Sequence, residues 1–275
     1  MTEGIVTLAD SHYYPGIETL YLSVQQSHPV PITCFDVGLT EEQKAHARAH
    51  YPLLDIRPLP STPEIERIKT VFEDAKPLAK AGKRVWPLWI CPFLIAASPY
   101  QRVFWLDGDL VVLRRLPELF AMLDDGPVFT LENNAPEHTP NKAALYELLP
   151  TGREADPAFD RTHPPVNGGV SGWDLVRDRE VLQAYMAPIL RACDDPAIRE
   201  AIAWHDQGAL IWAVQRHALE HRVLRDTRWN LCVRHNPTVA AQHYAWGPAV
   251  LDALRTDEPH ACLLHWNGRK VPWLA

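Results

Sequence analysis

Two aspartates one residue apart, Asp107 and Asp109, close the apolar run of Arg102-Val-Phe-Trp-Leu-Asp-Gly-Asp-Leu-Val-Val112. Such a run reads as a strand covered on both faces, and open α/β sheets gather ligands at the carboxyl ends of their strands. Two carboxylates placed there repel each other unless a cation lies between them. Hard oxygen ligands select Mg²⁺ or Mn²⁺, ions that bridge phosphate oxygens. Taken alone, Asp-Gly-Asp is equally a polar turn that ends a strand, because Asp and Gly are favoured turn formers.

The elements that must position this pair follow from periodicity. Gly4 to Ala9 predicts a first strand, and Ile17, Leu20, Tyr21 and Val24 follow at helical spacing. Pro31 to Asp36 predicts a second strand. Thr40-Glu-Glu-Gln43 is a capping box for a helix through about His50, and Leu53 to Arg57 gives a third strand. Two βαβ steps argue for a mostly parallel, Rossmann-like sheet with right-handed crossovers, flanked by helices. Pro58 to Lys83 reads as a loop, ahead of a helix over about Leu88 to Ala97. Beyond the aspartates come a helix over Leu116 to Leu123, a strand over Val128 to Leu131 and a strand-like Val166 to Val170. Long helices are expected over Arg179 to Ala192 and Ala197 to Arg216. With no convincing linker, residues 1–275 read as one α/β domain, its first half ending near 112 with the aspartates and a more variable half following.

A chain of 275 residues has room for a real core without disulfides. Its five cysteines, Cys34, Cys91, Cys193, Cys232 and Cys262, are scattered and include no Cys-x-x-Cys pair, so a reducing cytoplasm is the expected setting. Neither a leader nor a run long enough to span a bilayer is apparent. With 27 basic against 34 acidic residues, the formal charge of −7 argues against nucleic acid or an anionic membrane as partner. Ten tryptophans admit sugar stacking at a few positions, most of them being expected in the core.

Four features then line up along the chain: Asp10 after the first strand, Asp107-Gly108-Asp109, Asn167-Gly168-Gly169, and Asp206-Gln207. A fifth closes it, His265-Trp-Asn-Gly268 with Pro272-Trp273. In this order and at these intervals they resemble family 8 of the retaining glycosyltransferases, the group that includes glycogenin and bacterial lipopolysaccharide galactosyltransferases. The likeness runs from Ile5 to Trp273. It implies a GT-A fold and transfer of a hexose from a nucleotide-sugar, expected to be a UDP-sugar, to an unidentified acceptor with retention at the anomeric carbon. It also implies roles. Asp107, Asp109 and His265 would hold Mn²⁺ or Mg²⁺; Ala9, Asp10 and Tyr13 would line the base site; Asn167, Gly168 and Gly169 would let backbone approach the sugar. Asp206 and Gln207 would lie beneath the sugar ring, where an amide is too weak a nucleophile for an easy covalent step, so a front-face attack is expected. Gly108, Gly268 and Lys270 complete the donor-binding set.

Two departures matter. Val271 stands where the family places a lysine before Pro-Trp, leaving Lys270, with Arg269 in reserve, to reach the diphosphate. Ile90 and Cys91 occupy the helix that carries a basic residue in many relatives, for which Lys83 or Arg84 are candidate substitutes. Each motif also has a plainer reading: Asp10 as a helix cap, Asn167-Gly-Gly as a turn or bulge, Asp206-Gln207 as a solvated helix face, His265 as a packed histidine. Two further functions remain open. The aspartate strand also resembles the first motif of haloacid-dehalogenase phosphatases, with Asp107 as nucleophile, although no later metal motif accompanies it. A non-catalytic nucleotide-sugar-binding relative is the other.

Overall fold

The computed structural model describes residues 2–73, 86–114, 116–131, 142–159, 166–202, 206–232, 252, 255–257 and 259–266. Seven strands form the central sheet: β1 (Glu3–Ala9), β2 (Ile32–Asp36), β3 (Leu54–Pro58), β4 (Arg102–Leu106), β6 (Val128–Leu131), β7 (Val166–Asp174) and β8 (Val223–Leu224). Their spatial order is β3-β2-β1-β4-β7-β6-β8. The β1–β2, β2–β3, β1–β4 and β6–β8 pairs are parallel, whereas β7 runs antiparallel to both β4 and β6. A second, three-stranded sheet joins β5 (Leu110–Val112), β10 (Leu263–His265) and β9 (Leu231–Cys232).

Side chains alternate across the central sheet as the pleat requires. Ile5 and Phe104 pack with Ile17, Leu20 and Val24 of α1 (Tyr14–Ser27) and with Ala47 of α2 (Glu41–His50). Val6 and Trp105 point the other way, into a core shared with α3 (Pro63–Phe72), α4 (Cys91–Ala96), α7 (Arg179–Asp194) and α9 (Asp206–Arg216). Both faces are therefore covered, which is why the strands read as solid apolar runs and not as alternating ones.

Three expectations change. The segment from Pro58 contains α3, started by the Thr62 side chain accepting from Ile65 N, with Pro63 in the first turn and Ile65, Ile68 and Phe72 on the buried stripe. Pro63, Glu64 and Glu66 of this stretch are helix-start residues and not loop residues, and 74–83 lie outside the described residues. The single helix expected over Ala197 to Arg216 is two, α8 (Pro196–Ala201) and α9, so Asp206 begins a helix instead of lying on its flank. The aspartate strand is also split. β4 ends at Leu106, and β5 belongs to the second sheet, leaving Asp107-Gly108-Asp109 as the corner between them.

Candidate metal centre and donor site

The corner is a tight turn in which Leu110 N donates to Asp107 O at 3.2 Å, and it is pinned from both sides. Asp107 N donates to Gly169 O at 2.9 Å, and Trp266 N donates to Asp109 O at 3.1 Å. Gly108 at its tip is buried against α1, where an added Cβ would lie 3.0 Å from Ile17 Cδ1. The turn thus fixes two carboxylates at the carboxyl ends of the parallel strands β1 and β4. Trp105 Nε1 donates to Asp107 Oδ1 at 2.8 Å and orients that carboxylate.

His265 arrives from β10, antiparallel to β5 with His265 opposite Leu110. Its Nε2 lies 3.2 Å from Asp109 Oδ1 and 3.7 Å from Asp107 Oδ2. One ligand atom from each of the three residues falls within 4.8 Å of the others, and this is the one such group found among the described residues. Asp109 and His265 are 6% and 2% exposed. Burial by itself would lower the His265 pKa, but the Asp109 carboxylate outweighs it and holds the imidazole well above its ordinary value. Two carboxylates against one imidazole leave the cluster with an excess of negative charge. Two carboxylates and an imidazole form a donor set suited to a divalent cation such as Mn²⁺.

The strand β7 supplies the adjoining wall. Its register with β6 slips between Phe129 and Thr130, which pair with Ser171 and Asn167 respectively, so Gly168, Gly169 and Val170 form a bulge. The bulge reading of Asn167-Gly-Gly holds, and the slip turns this backbone toward the aspartates. At Gly169 a Cβ would lie 2.5 Å from His265 Cε1 and 2.7 Å from Asp107 Oδ2, so only glycine fits beside the cluster. At Gly168 a Cβ would meet Asp206 Oδ2 at 3.5 Å.

Asp206 and Gln207 head α9. Gln207 Oε1 accepts from Gly168 N at 3.2 Å, and its amide nitrogen Nε2 is buried without a hydrogen-bond partner among the described residues, in a residue only 8% exposed. A buried donor with no acceptor is costly unless a ligand completes it. A solvated helix face is excluded for this residue. Asp206 Oδ2 accepts from the Tyr185 hydroxyl at 2.5 Å. Burial drives the Asp206 pKa up to about 7, with Asp107 adding to the rise and the Tyr185 and Cys91 hydrogen bonds opposing it. Of Ile90 and Cys91, where the resemblance implied a basic residue, Cys91 faces Asp206 as a buried uncharged thiol, its own pKa raised by burial and by Asp206.

Geometry of this kind invites comparison with solved structures. The chain has the GT-A fold. It superposes on the galactosyltransferase LgtC, solved with donor and acceptor sugar analogs, with a TM-score of 0.65 at 16% identity, covering 99% of this chain and 89% of that one. It is also similar to the glycosyltransferase GlyE of Streptococcus pneumoniae TIGR4, with a TM-score of 0.56 at 16% identity over 99% of this chain and 56% of that one. A third likeness is to core-mannan synthase A of Aspergillus fumigatus in a Mn/GDP form, with a TM-score of 0.55 at 11% identity over 81% and 72% of the two chains. No family model matches the sequence, and no curated protein does.

Within the GT-A fold, Asp107, Asp109, His265, Asn167, Gly168, Gly169, Asp206 and Gln207 converge at one end of the sheet. Ala9 ends β1 and is buried. Asp10 follows it and uses Oδ1 to accept from His12 N and Tyr13 N at 2.9 and 3.0 Å, ordering the turn before α1; the helix starts from Tyr13 with no side-chain cap, so Asp10 is not its cap. The Tyr13 hydroxyl is held protonated by burial and by the charges of Asp109, Asp107 and Asp10, which places it beside the aspartate corner. Gly268, Arg269, Lys270, Pro272, Trp273, Lys83 and Arg84 lie outside the described residues.

Sequence reasoning missed Trp105, Tyr185 and Asn230. The first two sit in apolar periodic stretches, where an aromatic reads as core. Asn230 lies before a two-residue strand in a polar stretch, and no spacing sets it apart.

Proposed function

We propose that this chain is a metal-dependent retaining glycosyltransferase that moves a hexose from a UDP-sugar to an acceptor hydroxyl. The observation that carries the reading is the convergence, at one end of the sheet, of a cluster able to hold a cation, a glycine bulge and the Gln207 amide, orphaned among the described residues. LgtC with donor and acceptor sugar analogs, and core-mannan synthase A with Mn/GDP, support a nucleotide-sugar donor and a divalent metal.

Asp107, Asp109 and His265 would hold the ion. When bound, the ion supplies Lewis-acid neutralisation of the diphosphate leaving group. Ala9, Asp10 and Tyr13 receive the base, while Gly168 and Gly169 let the sugar approach the backbone of β7. Gln207, held through its Oε1, directs Nε2 at the sugar. Being an amide, it orients and stabilises without forming an ester. Asp206 is tied to Tyr185 and carries a raised pKa, so it is a poor second candidate for nucleophile. Both facts support front-face attack over a double displacement between two carboxylates. Gly268 and Lys270 remain proposed diphosphate contacts. The GT-A fold leaves no reason to prefer the phosphatase reading.

The test is product stereochemistry. With Mn²⁺ and UDP-hexoses as donors, NMR of the first sugar released or transferred is expected to show the anomeric configuration of the donor. Inversion would reject the retaining assignment.

A further inference from the structure

We propose that Asn230 is a positioning residue that decides which imidazole nitrogen of His265 faces the metal, and that it links this choice to the donor-sugar strand. The inference rests on the functional reading above for the identity of the metal and the sugar, but its geometry does not.

The argument starts from a backbone group that can only donate. Gly169 N lies 3.0 Å from the Asn167 side chain, so the atom there must be the carbonyl oxygen Oδ1. That same oxygen is 2.9 Å from the Asn230 side chain, so the Asn230 atom facing it must be the amide nitrogen Nδ2. Nδ2 also donates to Thr130 Oγ1 at 3.0 Å, and the Thr130 hydroxyl spends its own proton on Val170 O at 3.2 Å. Two independent acceptors thus fix one end of the Asn230 amide.

The other end is then oxygen. Asn230 Oδ1 lies 3.1 Å from His265 Nδ1 and also receives the Cys232 thiol at 3.8 Å. An amide oxygen accepts only, so Nδ1 carries a proton. Nε2, the nitrogen beside Asp109 and Asp107, is then the one that gives up its proton and offers a lone pair when a cation binds. Asn230, Asn167 and Thr130 are 2%, 2% and 1% exposed, so water cannot replace any link. A chain of hydrogen bonds therefore runs from the Gly169 amide to His265 Nδ1, the ring nitrogen opposite the metal-facing one. Outer partners of this kind commonly tune metal affinity by about 10- to 100-fold.

Asn230→Leu removes both ends of the link, whereas Asn230→Asp keeps an acceptor for Nδ1 and loses the donor to Asn167. By calorimetry with Mn²⁺ alone, Asn230→Leu is expected to bind about 10- to 100-fold more weakly than the unmutated chain. Asn230→Asp is expected to bind at least as tightly, yet to show a raised KM for the sugar donor. Unchanged Mn²⁺ affinity in the leucine variant, or equal losses in both, would overturn the proposal. Should the leucine variant not fold, the ¹⁵N imidazole spectrum of the unmutated, metal-free protein at alkaline pH decides without it. A proton on Nδ1 supports the proposal and one on Nε2 overturns it. An unmutated chain that ignores Mn²⁺ would count against the functional reading and leave this tautomer test standing.

Discussion

Single residues in this site are constrained from several directions at once, and Gly169 is the sharpest case. Its missing side chain is occupied by the metal-ligand cluster: a methyl would overlap His265 and Asp107. Gly169→Ala is expected to weaken Mn²⁺ binding at least tenfold and to cost about 1 to 3 kcal/mol in stability through overpacking, read by calorimetry and denaturant unfolding. Asp206 is constrained electrostatically. Its pKa is raised from the usual carboxylate range to about 7, mainly by burial, so the folded state binds a proton that the unfolded state releases near pH 4. The sign follows: this contribution is fully present below pH 4 and is lost as pH rises through 7. Asp206→Asn should therefore gain stability relative to the parent at pH 8, on the order of 1 kcal/mol, and gain nothing at pH 4. Melting curves of both proteins in EDTA across that range would check it. A constant difference at all pH values would mean that Asp206 stays charged.

At the scale of elements, helices with a chemical start signal were readable in advance. Thr40-Glu-Glu-Gln43 forms the capping box it promised, with Gln43 N donating to Thr40 Oγ1 and Thr40 N to Gln43 Oε1. Gln43 Nε2 also donates to Ser11 O, tying α2 to the loop after β1. Thr40→Ala is expected to lose about 1 kcal/mol by urea unfolding while leaving metal binding unchanged. The first three strands were equally plain, because a strand buried on both faces writes a solid apolar run. The failures have a common cause. Periodicity continues through a break when the next element is also apolar, so β4 and β5 read as one strand and α8 and α9 as one helix. The break matters in both places: it puts Asp107 and Asp109 at a corner, and Asp206 and Gln207 at a helix head. Composition misled over α3, where Pro63 and Glu64 belong to a helix start.

Across the whole molecule, the sheet serves as a frame that brings distant stretches of chain to one end. Asp107 and His265 are brought together by β5 and β10 of the small sheet, and Gly168 meets Gln207 through the antiparallel β7. The motif residues were readable because their side chains are chemically specific. The supporting ones were not, since Trp105, Tyr185 and Asn230 are types that serve equally in a core or a turn. Their roles exist only once the fold sets them beside Asp107, Asp206 and His265. No helix among the described residues is long and apolar enough to cross a membrane. The central claim is a nucleotide site that needs this metal cluster. It is tested most directly by thermal unfolding with nucleoside diphosphates in Mn²⁺, in Mg²⁺ and in EDTA, for the unmutated chain and for Asp109→Ala. A ligand at about a hundred times its Kd adds roughly 2.7 kcal/mol, or about 5 to 10 °C at this size. The account predicts such a shift with UDP, dependent on metal and absent in Asp109→Ala. Shifts that persist in EDTA or in the variant, or no shift with any nucleotide, would contradict it.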